Sequence, residues 1–454
     1  MLSEIFKAYD VRGIYGKSLT DEIAYRIGKA FVSFLKCKDV VVGYDMRTSS
    51  PKLAAYFMKG ANEQGANAID IGMVSTDVVY FASGSMKKAA VMFTASHNPG
   101  NYNGIKFCRK GAVPINYDTG LKNIMLITEK SAHKNKPGYK TNFIGKYGKI
   151  IKKNILGEYA KHSRRFISSG KLRKLKIAAD AGNGMAGKMI PLVYKSLNAE
   201  IVPLYFELDG AFPNHPADPS KYENLKDLQN AVMREKCDFG MAFDGDADRI
   251  FFVDEKGSII NSSLISAMIA KHILLRHKNE KVVYNLICSR IVPETVKKYH
   301  GKAVIERVGH SYMKDTMGKT KAIFGCEHSA HYYFRGNYRA DSGIIASVIV
   351  ADIVSREKMP LSALLKEFEK YYKIEETNFE VKDKQKALES IEQHYKKLKP
   401  KSVSKLDGIT FDFENWWFNV RQSNTEPLLR LNLEADSENL MNRKKKELVE
   451  MIAG

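Results

Sequence analysis

The stretch Cys237-Asp-Phe-Gly-Met-Ala-Phe-Asp-Gly-Asp-Ala-Asp-Arg-Ile-Phe-Phe-Val253 places a charged loop between two apolar segments. The apolar segments, Cys237 to Phe243 and Ile250 to Val253, each predict a β-strand. The loop between them carries carboxylates at alternate positions, and side chains two residues apart in an extended chain point the same way. We therefore expect the loop carboxylates to converge on one point: Asp244, Asp246 and Asp248.

These acidic residues predict a metal site, because like charges so close together repel one another unless a cation lies between them. All-oxygen ligands suit Mg2+ or Ca2+, and Mg2+ is usual where a phosphate supplies a further ligand. Arg249 follows directly and offers a guanidinium to a phosphate or sugar oxygen. The alternative is an acidic surface turn, since turns are often rich in Asp and Gly.

Length and composition indicate a globular protein of several domains. The chain has 454 residues, of which 44% are hydrophobic, and apolar patterns typical of strands and helices alternate along it. The segment Met1 to Asp10 has no apolar run behind a basic end, and no uncharged stretch has the length of a membrane span. The 5 cysteines form no Cys-x-x-Cys pair, so we expect reduced thiols. Together these features predict a cytoplasmic protein with no membrane partner.

The formal net charge of +21 is high. Such a charge suits nucleic acid, an acidic surface or a small anionic substrate drawn in by a positive field. The lysine-rich runs lack the interleaved aromatic residues of a base-stacking surface, so we expect no nucleic-acid partner. A basic nucleic-acid-binding protein remains the alternative from a different functional class.

The first part of the chain offers a reactive hydroxyl. A helix is predicted at Asp21 to Leu35, and a strand at Ala89 to Phe93 runs into Thr94-Ala-Ser-His-Asn-Pro99. Ligands collect beyond strand ends in α/β sheets, which favours Ser96 as a functional residue. A Ser96 and His97 hydrolase pair is disfavoured, because adjacent side chains of an extended chain point oppositely and no Gly-x-Ser-x-Gly turn is present. Lys106 lies near the same strand end, although the pattern alone favours an ordinary surface lysine.

A glycine-rich turn in the second part supports a rival interpretation. The strand Lys176 to Asp180 leads into Ala181 to Gly187, which matches Gly-x-Gly-x-x-Gly, and Glu207 follows twenty residues later. This spacing is typical of dinucleotide binding. Tight strand-to-helix turns use the same glycines, however, and a nicotinamide or flavin enzyme has no use for the acidic loop of the same unit.

The third part repeats the pattern of a short apolar strand, a polar end and a helix start, at Lys281 to Ile287. The repetition suggests a triplicated α/β domain. Further on, Glu327, Ser329 and His331 alternate, so in a strand they share one face and can bind adjacent hydroxyls of a polyol. Metal binding by His328 and His331 is conceivable, but no acidic cluster lies near them in sequence.

The last part changes character. An amphipathic helix is predicted at Ser362 to Tyr372, followed by a mixed α and β pattern. Strands predicted at Trp416 to Val420 and Leu428 to Leu433 flank Arg421-Gln-Ser-Asn-Thr-Glu-Pro427. An arginine with small polar residues on a tight loop suits a phosphate, whereas the alternative is a plain hairpin loop.

Four of these motifs, taken in order, resemble those of the α-D-phosphohexomutase superfamily, especially its phosphomannomutase/phosphoglucomutase branch. The resemblance covers the whole chain: 94–99 is similar to the phosphoserine loop, 244–249 to the metal loop, 325–331 to the sugar loop and 421–427 to the phosphate loop. It implies an α/β fold with three similar α/β domains of mixed sheets and a smaller C-terminal α+β domain, heart-shaped around a central cleft. The implied boundaries are 1–152, 153–255, 256–371 and 372–454. Cys326 and Ala330 stand where the family usually has glycine.

The resemblance also implies a mechanism in which phosphorylated Ser96 exchanges its phosphoryl group with a hexose phosphate. Mg2+ would be held by Ser96 and the three carboxylates, and hexose 1,6-bisphosphate would be the activator. The other implied groups are Arg12, Lys106, Arg249 and His310 around the reacting oxygens, Glu327, Ser329 and His331 on the sugar, and Arg421, Ser423, Asn424 and Thr425 on the distant phosphate. The implied partners are small sugar phosphates, and the implied state is a monomer or weak dimer. The alternatives are a phosphoglucosamine mutase and a Mg2+-dependent sugar phosphatase.

Overall fold

The structure is a computed structural model that describes residues 2–132, 146–381, 383–422 and 428–453. Within these ranges the chain forms three α/β units and a smaller C-terminal unit, each with its own sheet. Among the described helices, none combines the length and apolarity that a membrane crossing requires.

The first unit is a mixed sheet flanked by helices. Its strands are β1 (Val11–Ile14), β2 (Asp39–Tyr44), β3 (Asn67–Met73), β4 (Ala89–Phe93), β5 (Tyr102–Arg109), β6 (Val113–Pro114) and β7 (Ile150–Lys152). Its helices are α1 (Asp21–Leu35), α2 (Ser50–Glu63), α3 (Thr76–Met86) and α4 (Lys122–Ala132). α1 begins where its sequence predicts. The Thr20 hydroxyl accepts a hydrogen bond from the Ile23 amide, and two acidic residues follow in the first turn.

The second and third units continue the pattern. The second contains α5 (Leu156–Arg164), β8 (Leu175–Asp180), α6 (Ala186–Tyr194), β9 (Ala199–Leu204), α7 (Lys226–Glu235), β10 (Phe239–Phe243), β11 (Ile250–Val253) and β12 (Ile259–Ile260). The third contains α8 (Ser262–Leu274), β13 (Lys281–Asn285), α9 (Ile291–Lys298), β14 (Lys302–Glu306), α10 (His310–Thr320), β15 (Phe324–Cys326), β16 (Tyr332–Phe334), β17 (Ala340–Asp341), α11 (Gly343–Glu357) and α12 (Leu361–Leu365).

The three sheets share one topology. Their strand orders are β3-β2-β4-β5-β1, β9-β8-β10-β11-β12 and β14-β13-β15-β16-β17, with β6 and β7 as additions to the first. In each unit the leading three strands are parallel and the next is antiparallel. This shared order confirms the predicted set of similar α/β domains with mixed sheets.

The fourth unit is an antiparallel sheet covered by two described helices. Its elements are β18 (Tyr372–Lys373), β19 (Thr377–Glu380), α13 (Lys384–Lys396), β20 (Ser402–Ser404), β21 (Ile409–Asp412), β22 (Trp416–Gln422), β23 (Leu428–Ala435) and α14 (Glu438–Ala453). The helix predicted at Ser362 to Tyr372 is present but its predicted end is wrong. α12 ends at Leu365 and continues as one 3-10 turn at Lys366–Phe368, after which the chain extends so that Tyr372 and Lys373 pair with β23. Tertiary pairing thus overrides the local periodicity.

One apolar core joins the three α/β units. It is continuous from Val41 of β2 through Ile177 of β8 to Phe324 of β15. α3 and α11 lie within it, and α11 is buried from Gly343 to Ser355 because apolar residues occupy all its sides. The units therefore hold fixed positions around the strand ends, where the polar motifs meet.

Candidate active site

The acidic loop joins β10 to β11, which pair as an antiparallel hairpin with Phe243 opposite Ile250. Ala247 has φ of +59°, so the loop is a tight turn and not the extended segment that we predicted. The carboxylates converge nonetheless: one oxygen from each of Asp244, Asp246 and Asp248 lies within 4.8 Å of the others. All three side chains are buried. The turn, rather than strand alternation, brings them together.

The loop fits a divalent cation. Asp246 Oδ1 and Asp248 Oδ1 are buried, and neither accepts a hydrogen bond from the described residues. Buried oxygens without a donor are costly, and a cation between them removes that cost. Burial, followed by repulsion from Asp248, raises the pKa of Asp244 to about 7. An acidic cluster that can hold a metal ion is thus present, and its hard oxygen ligands match Mg2+.

Ser96 lies directly against this cluster. Its Oγ donates a hydrogen bond to Asp244 Oδ2 at 2.6 Å, across 148 positions of sequence. Ser96 has φ of +50°, a left-handed conformation, and its amide donates to Thr94 Oγ1. The same conformation brings Ser96 Oγ within 3.3 Å of His97 Nδ1. Our expectation that the two side chains point oppositely is wrong, because the backbone here is not extended.

Lys106 is buried, whereas its local sequence pattern favoured a surface lysine. Only 6% of the residue is exposed. Its Nζ lies 2.7 Å from Asp246 Oδ2 and 2.6 Å from Asp248 Oδ2. Burial opposes the charged form, but these carboxylates outweigh it and hold the pKa of Lys106 well above its ordinary value. The residue is therefore a fixed ammonium inside the acidic cluster.

Two of the remaining predicted catalytic residues, Arg249 and Arg12, contact the acidic loop and the loop that bears Ser96. Arg249 donates from Nε to Asp244 Oδ2 at 2.9 Å, while its buried Nη2 has no acceptor among the described residues. Arg12 of β1 donates to Asn98 of the loop 94–99 at 2.6 Å and to Asp10 at 2.5 Å.

His310 begins α10, with its ring centroid 5.5 Å from that of Tyr9. Desolvation, reinforced by Lys314, holds the pKa of His310 well below its ordinary value. The imidazole is therefore neutral near neutral pH.

The sugar loop connects β15 to β16 as a turn. The Glu327 amide donates to the His331 carbonyl at 3.0 Å, and Ala330 has φ of +65°. Our expectation that Glu327, Ser329 and His331 share one strand face is therefore wrong. Glu327 is 2% exposed and accepts hydrogen bonds from the Gly309 amide, Asn285 Nδ2 and the Tyr333 hydroxyl. Ser329 lies within the turn and is partly exposed.

An acidic neighbour of His331 escaped the sequence reasoning. His331 Nδ1 lies 2.9 Å from Asp341 Oδ2 and 3.8 Å from Asp248 Oδ1, so acidic groups flank this histidine after all. These residues form a second group that could hold a metal ion. The Lys314 ammonium, 2.7 Å from Asp341 Oδ1, already balances part of that charge. His331 thus lies between Asp341 of β17 and Asp248 of the acidic loop, and its approach to Asp248 connects the sugar loop to the acidic loop.

The phosphate motif is described only at its start. Arg421 is the penultimate residue of β22, is 3% exposed, and donates to Glu376 Oε2 at 3.0 Å. Glu376 also pairs with Arg430 and accepts a hydrogen bond from Asn432, and half-buried Lys373 donates to Asn432 Oδ1 at 3.2 Å. The predicted phosphate ligands Ser423, Asn424 and Thr425 lie outside the described residues. Sequence reasoning missed Glu376 and Lys373, which no motif marks.

The glycine-rich turn at 181–187 packs behind the acidic loop. The Met185 amide donates to the Gly245 carbonyl at 2.9 Å. A side chain at Gly184 would come within 2.8 Å of that same carbonyl oxygen. The glycine pattern is thus accounted for by close packing of two loops, which is also what a tight strand-to-helix turn requires.

Comparison with known proteins gives matches along the full chain. Models of the phosphoglucomutase/phosphomannomutase family match in succession: alpha/beta/alpha domain I at residues 3–135, domain II at 157–257, domain III at 261–372 and the C-terminal domain at 376–451.

Individual relatives agree. A phosphomannomutase of Methanocaldococcus jannaschii is 39% identical over 449 residues, covering 99% of this chain and 97% of the relative. A phosphomannomutase of Escherichia coli K12 is 36% identical, covering 95% and 94%. The crystal structure of a phosphoglucomutase/phosphomannomutase family protein from Burkholderia thailandensis superposes with a TM-score of 0.90 at 30% identity, covering 99% and 97%. The chain belongs to the phosphoglucomutase/phosphomannomutase family.

Proposed function

We propose that this protein is a phosphohexomutase that interconverts the 1-phosphates and 6-phosphates of mannose and glucose through a phosphorylated Ser96. The observation that carries the proposal is the contact between Ser96 Oγ and Asp244 Oδ2 at 2.6 Å, inside a buried group of three carboxylates. A hydroxyl held against a metal-binding cluster is placed to carry a phosphoryl group. Family membership supports the same reaction.

In this proposal Asp244, Asp246 and Asp248 hold Mg2+ together with the phosphate on Ser96. The ion, when bound, stabilises negative charge on the transferring phosphoryl group. Arg249 has a buried Nη2 with no acceptor among the described residues, which suits a phosphate oxygen. Arg12 steadies the loop that bears Ser96 through its bond to Asn98.

The sugar hydroxyl must lose its proton as it attacks the phosphoserine. Lys106 and His310 are the two candidates to accept that proton. Lys106 Nζ lies 2.7 Å from Asp246 Oδ2 and 2.6 Å from Asp248 Oδ2, so as an ammonium it would also add positive charge beside the transferring phosphoryl group.

The two ends of the sugar take turns at Ser96. The first transfer gives a hexose 1,6-bisphosphate, which reverses its orientation and returns the other phosphate to Ser96. Hexose 1,6-bisphosphate from solution therefore also serves as the activator that primes the serine. Glu327, Ser329 and His331 contact the sugar, and Arg421 with Ser423, Asn424 and Thr425 holds the phosphate that is not reacting.

Intact mass spectrometry tests the proposal. Purified protein incubated with glucose 1,6-bisphosphate and Mg2+ should contain a stable fraction heavier by one phosphate, and Ser96→Ala should lack it. A panel of the 1-phosphates of mannose, glucose, glucosamine and N-acetylglucosamine should yield 6-phosphates of the first two most efficiently. Absence of the phosphorylated fraction, or release of inorganic phosphate in place of the 6-phosphate, would contradict the proposal.

A further inference from the structure

Arg47 is a buried arginine that no sequence motif brought to attention. Its side chain is 0% exposed, and it lies three residues after the end of β2 at Tyr44. β2 and β4 are parallel neighbours, with Tyr44 opposite Phe93, so both strands end at the same level. The phosphoserine loop that follows β4 therefore lies beside Arg47.

The guanidinium of Arg47 binds this loop through backbone carbonyls. Nη2 donates to the carbonyls of Ser96 at 2.8 Å and Asn98 at 2.6 Å. Nη1 donates to the carbonyls of Pro99 at 2.7 Å and Tyr102 at 3.0 Å. A planar guanidinium with its fixed fork of donors can hold all four carbonyls at once, whereas a lysine ammonium has three donors at one point.

The rest of the Arg47 side chain is also held. Its Nε lies 3.3 Å from Asp45 Oδ2, and Asp45 in turn accepts from the Ser50 hydroxyl at 2.6 Å. The guanidinium carbon lies 5.2 Å from the ring centroid of Phe212, in the second unit. Arg47 thus has partners other than the loop, in Asp45 and Phe212.

The loop needs such support, because Ser96 has φ of +50°. A residue with a side chain holds this conformation only where its surroundings enforce it. Peptide planarity also turns the His97 amide away from the guanidinium that binds the Ser96 carbonyl. The hydrogen bonds from Arg47 therefore hold Ser96 in its left-handed conformation and set the direction in which the loop presents its amides.

We propose that Arg47 is a positioning residue for phosphoryl transfer: its guanidinium clamps the phosphoserine loop and so holds Ser96 Oγ against the metal-binding carboxylate of Asp244. This proposal rests on the proposed function, because only that function places a phosphoryl group on Ser96. Arg47 makes its contacts with backbone carbonyls, so it acts through the loop.

The test compares Arg47→Lys with the matched control Arg164→Lys. Arg164 also donates to two backbone carbonyls, those of Leu192 and Val193, but between helices of the second unit. Misplacement of a reacting group by an ångström costs roughly a hundredfold in rate. Arg47→Lys should therefore lower kcat about a hundredfold while the KM for the sugar phosphate changes less than about threefold. The control should keep both constants within about threefold of wild type.

Hydrogen exchange of the amides in residues 96–103 provides a second readout that needs no activity. Arg47→Lys should accelerate exchange there, and Arg164→Lys should not. Unchanged exchange in this loop overturns the proposal, as does a kcat within about threefold of wild type, a selective rise in KM, or an equal loss of kcat in the control.

If Arg47→Lys does not fold, Asp45→Asn replaces it, because it removes the carboxylate that faces Nε while keeping the shape. A fall in kcat of about tenfold with faster loop exchange supports the clamp, and wild-type values overturn it. If wild-type protein carries no phosphoserine, the proposed function is refuted but the role of Arg47 is not. Hydrogen exchange of the loop amides still decides whether Arg47 holds the loop.

Discussion

Single residues of the candidate active site are held by partners distant in sequence. Asp244 accepts hydrogen bonds from Ser96 and Arg249, and Lys106 contacts both other carboxylates of the acidic loop. These groups are buried, where charge interactions are stronger than in water. Removing one group therefore leaves its partners unbalanced, and the consequences can be predicted residue by residue.

Ser96→Ala should lower turnover by at least about a thousandfold, because it removes the hydroxyl that carries the phosphoryl group. A coupled assay with added glucose 1,6-bisphosphate measures the loss. Ser85→Ala, at an exposed position of α3, is the control and should keep the wild-type rate. A Ser96→Ala enzyme that retained substantial turnover would rule out the phosphoserine.

Asp246→Asn should weaken Mg2+ binding by roughly tenfold or more, since it removes one of three ligand charges. Isothermal titration of chelator-treated protein measures the dissociation constant directly. Asp315→Asn removes a charge from the exposed face of α10, where Asp315 pairs with Lys319, and serves as the control. Equal Mg2+ affinities of wild type and Asp246→Asn would show that the ion is bound elsewhere.

At the scale of elements, α3 joins three units. Its second residue, Asp77, is buried and accepts hydrogen bonds from Ser75, Tyr159 and Ser342. Tyr159 lies on α5, and Ser342 caps α11. The preceding residue, Thr76, donates from its amide to the Asp246 carbonyl at 3.1 Å. The start of α3 thus supports both the acidic loop and the contacts between units.

The pH dependence of stability should carry the signature of Asp77. Burial raises its pKa from 3.8 to about 6 despite hydrogen bonds from Ser342, Ser75 and Tyr159. The folded chain therefore binds this proton more tightly than the unfolded chain. The resulting stability is present below pH 3.8 and is lost as the pH rises to about 6, a change on the order of 3 kcal/mol.

Melting temperatures measured from about pH 4.5 to 7 check this expectation. The melting temperature of wild type relative to Asp77→Asn should fall as the pH rises and level off above about 6. Asp39→Asn is the control, because the bond to Lys88 lowers the pKa of Asp39, which therefore stays ionised across this range. A constant difference for Asp77→Asn would contradict the assigned pKa.

At the scale of the whole molecule, the fourth unit is attached to the third through Arg290. Its guanidinium donates to the carbonyls of Phe413 at 2.6 Å, Trp416 at 3.0 Å and Glu414 at 3.1 Å, and it pairs with Asp412. The Arg290 amide also donates to Glu434 at 2.9 Å. Arg290 thus ties several strands of the sheet that carries Arg421 to the third unit, and the Val308 amide adds a hydrogen bond to Asp407 Oδ2 at 3.1 Å.

Arg290→Met should raise the KM for the sugar phosphate by about tenfold with a smaller change in kcat, because the phosphate-binding unit loses its fixed position. Steady-state kinetics with either hexose phosphate measures both constants. Arg335→Met removes the pairing of Arg335 with Glu280 within the third unit and is the matched control. A KM that stays at the wild-type value would show that the fourth unit is held by other contacts.

Mannose 1-phosphate and glucose 1-phosphate should be converted with efficiencies within roughly two orders of magnitude, a gap below about 3 kcal/mol. The sugars differ at carbon 2, and reorientation places that hydroxyl differently in the two bound poses. A buried group dedicated to it in one pose is unpaired in the other, at a cost of about 1–3 kcal/mol. Steady-state assays with the two sugar phosphates in competition decide this. A preference for one of them beyond a thousandfold would mean that a residue recognises the hydroxyl at carbon 2.

The local elements follow from the sequence alone. The limits of α1, β4 and β11 agree with the apolar periodicity, and the positions of the polar loops after the strands agree with the strand pattern. These features depend on neighbours within a few residues, through capping, turn preference and the alternation of buried side chains. The acidic loop can therefore be recognised as a motif from the order of its residues.

The environment of each polar side chain was decided only by the tertiary structure. Lys106 has the local pattern of a surface residue, yet β5 brings it to Asp246 and Asp248, 140 and 142 positions away. Arg47 and the pairing of His331 with Asp341 have no local signature, and α12 ends early because β18 pairs with β23. The physical reason is that burial, charge partners and strand pairing depend on which sheet edges meet, and no short window of sequence contains that information.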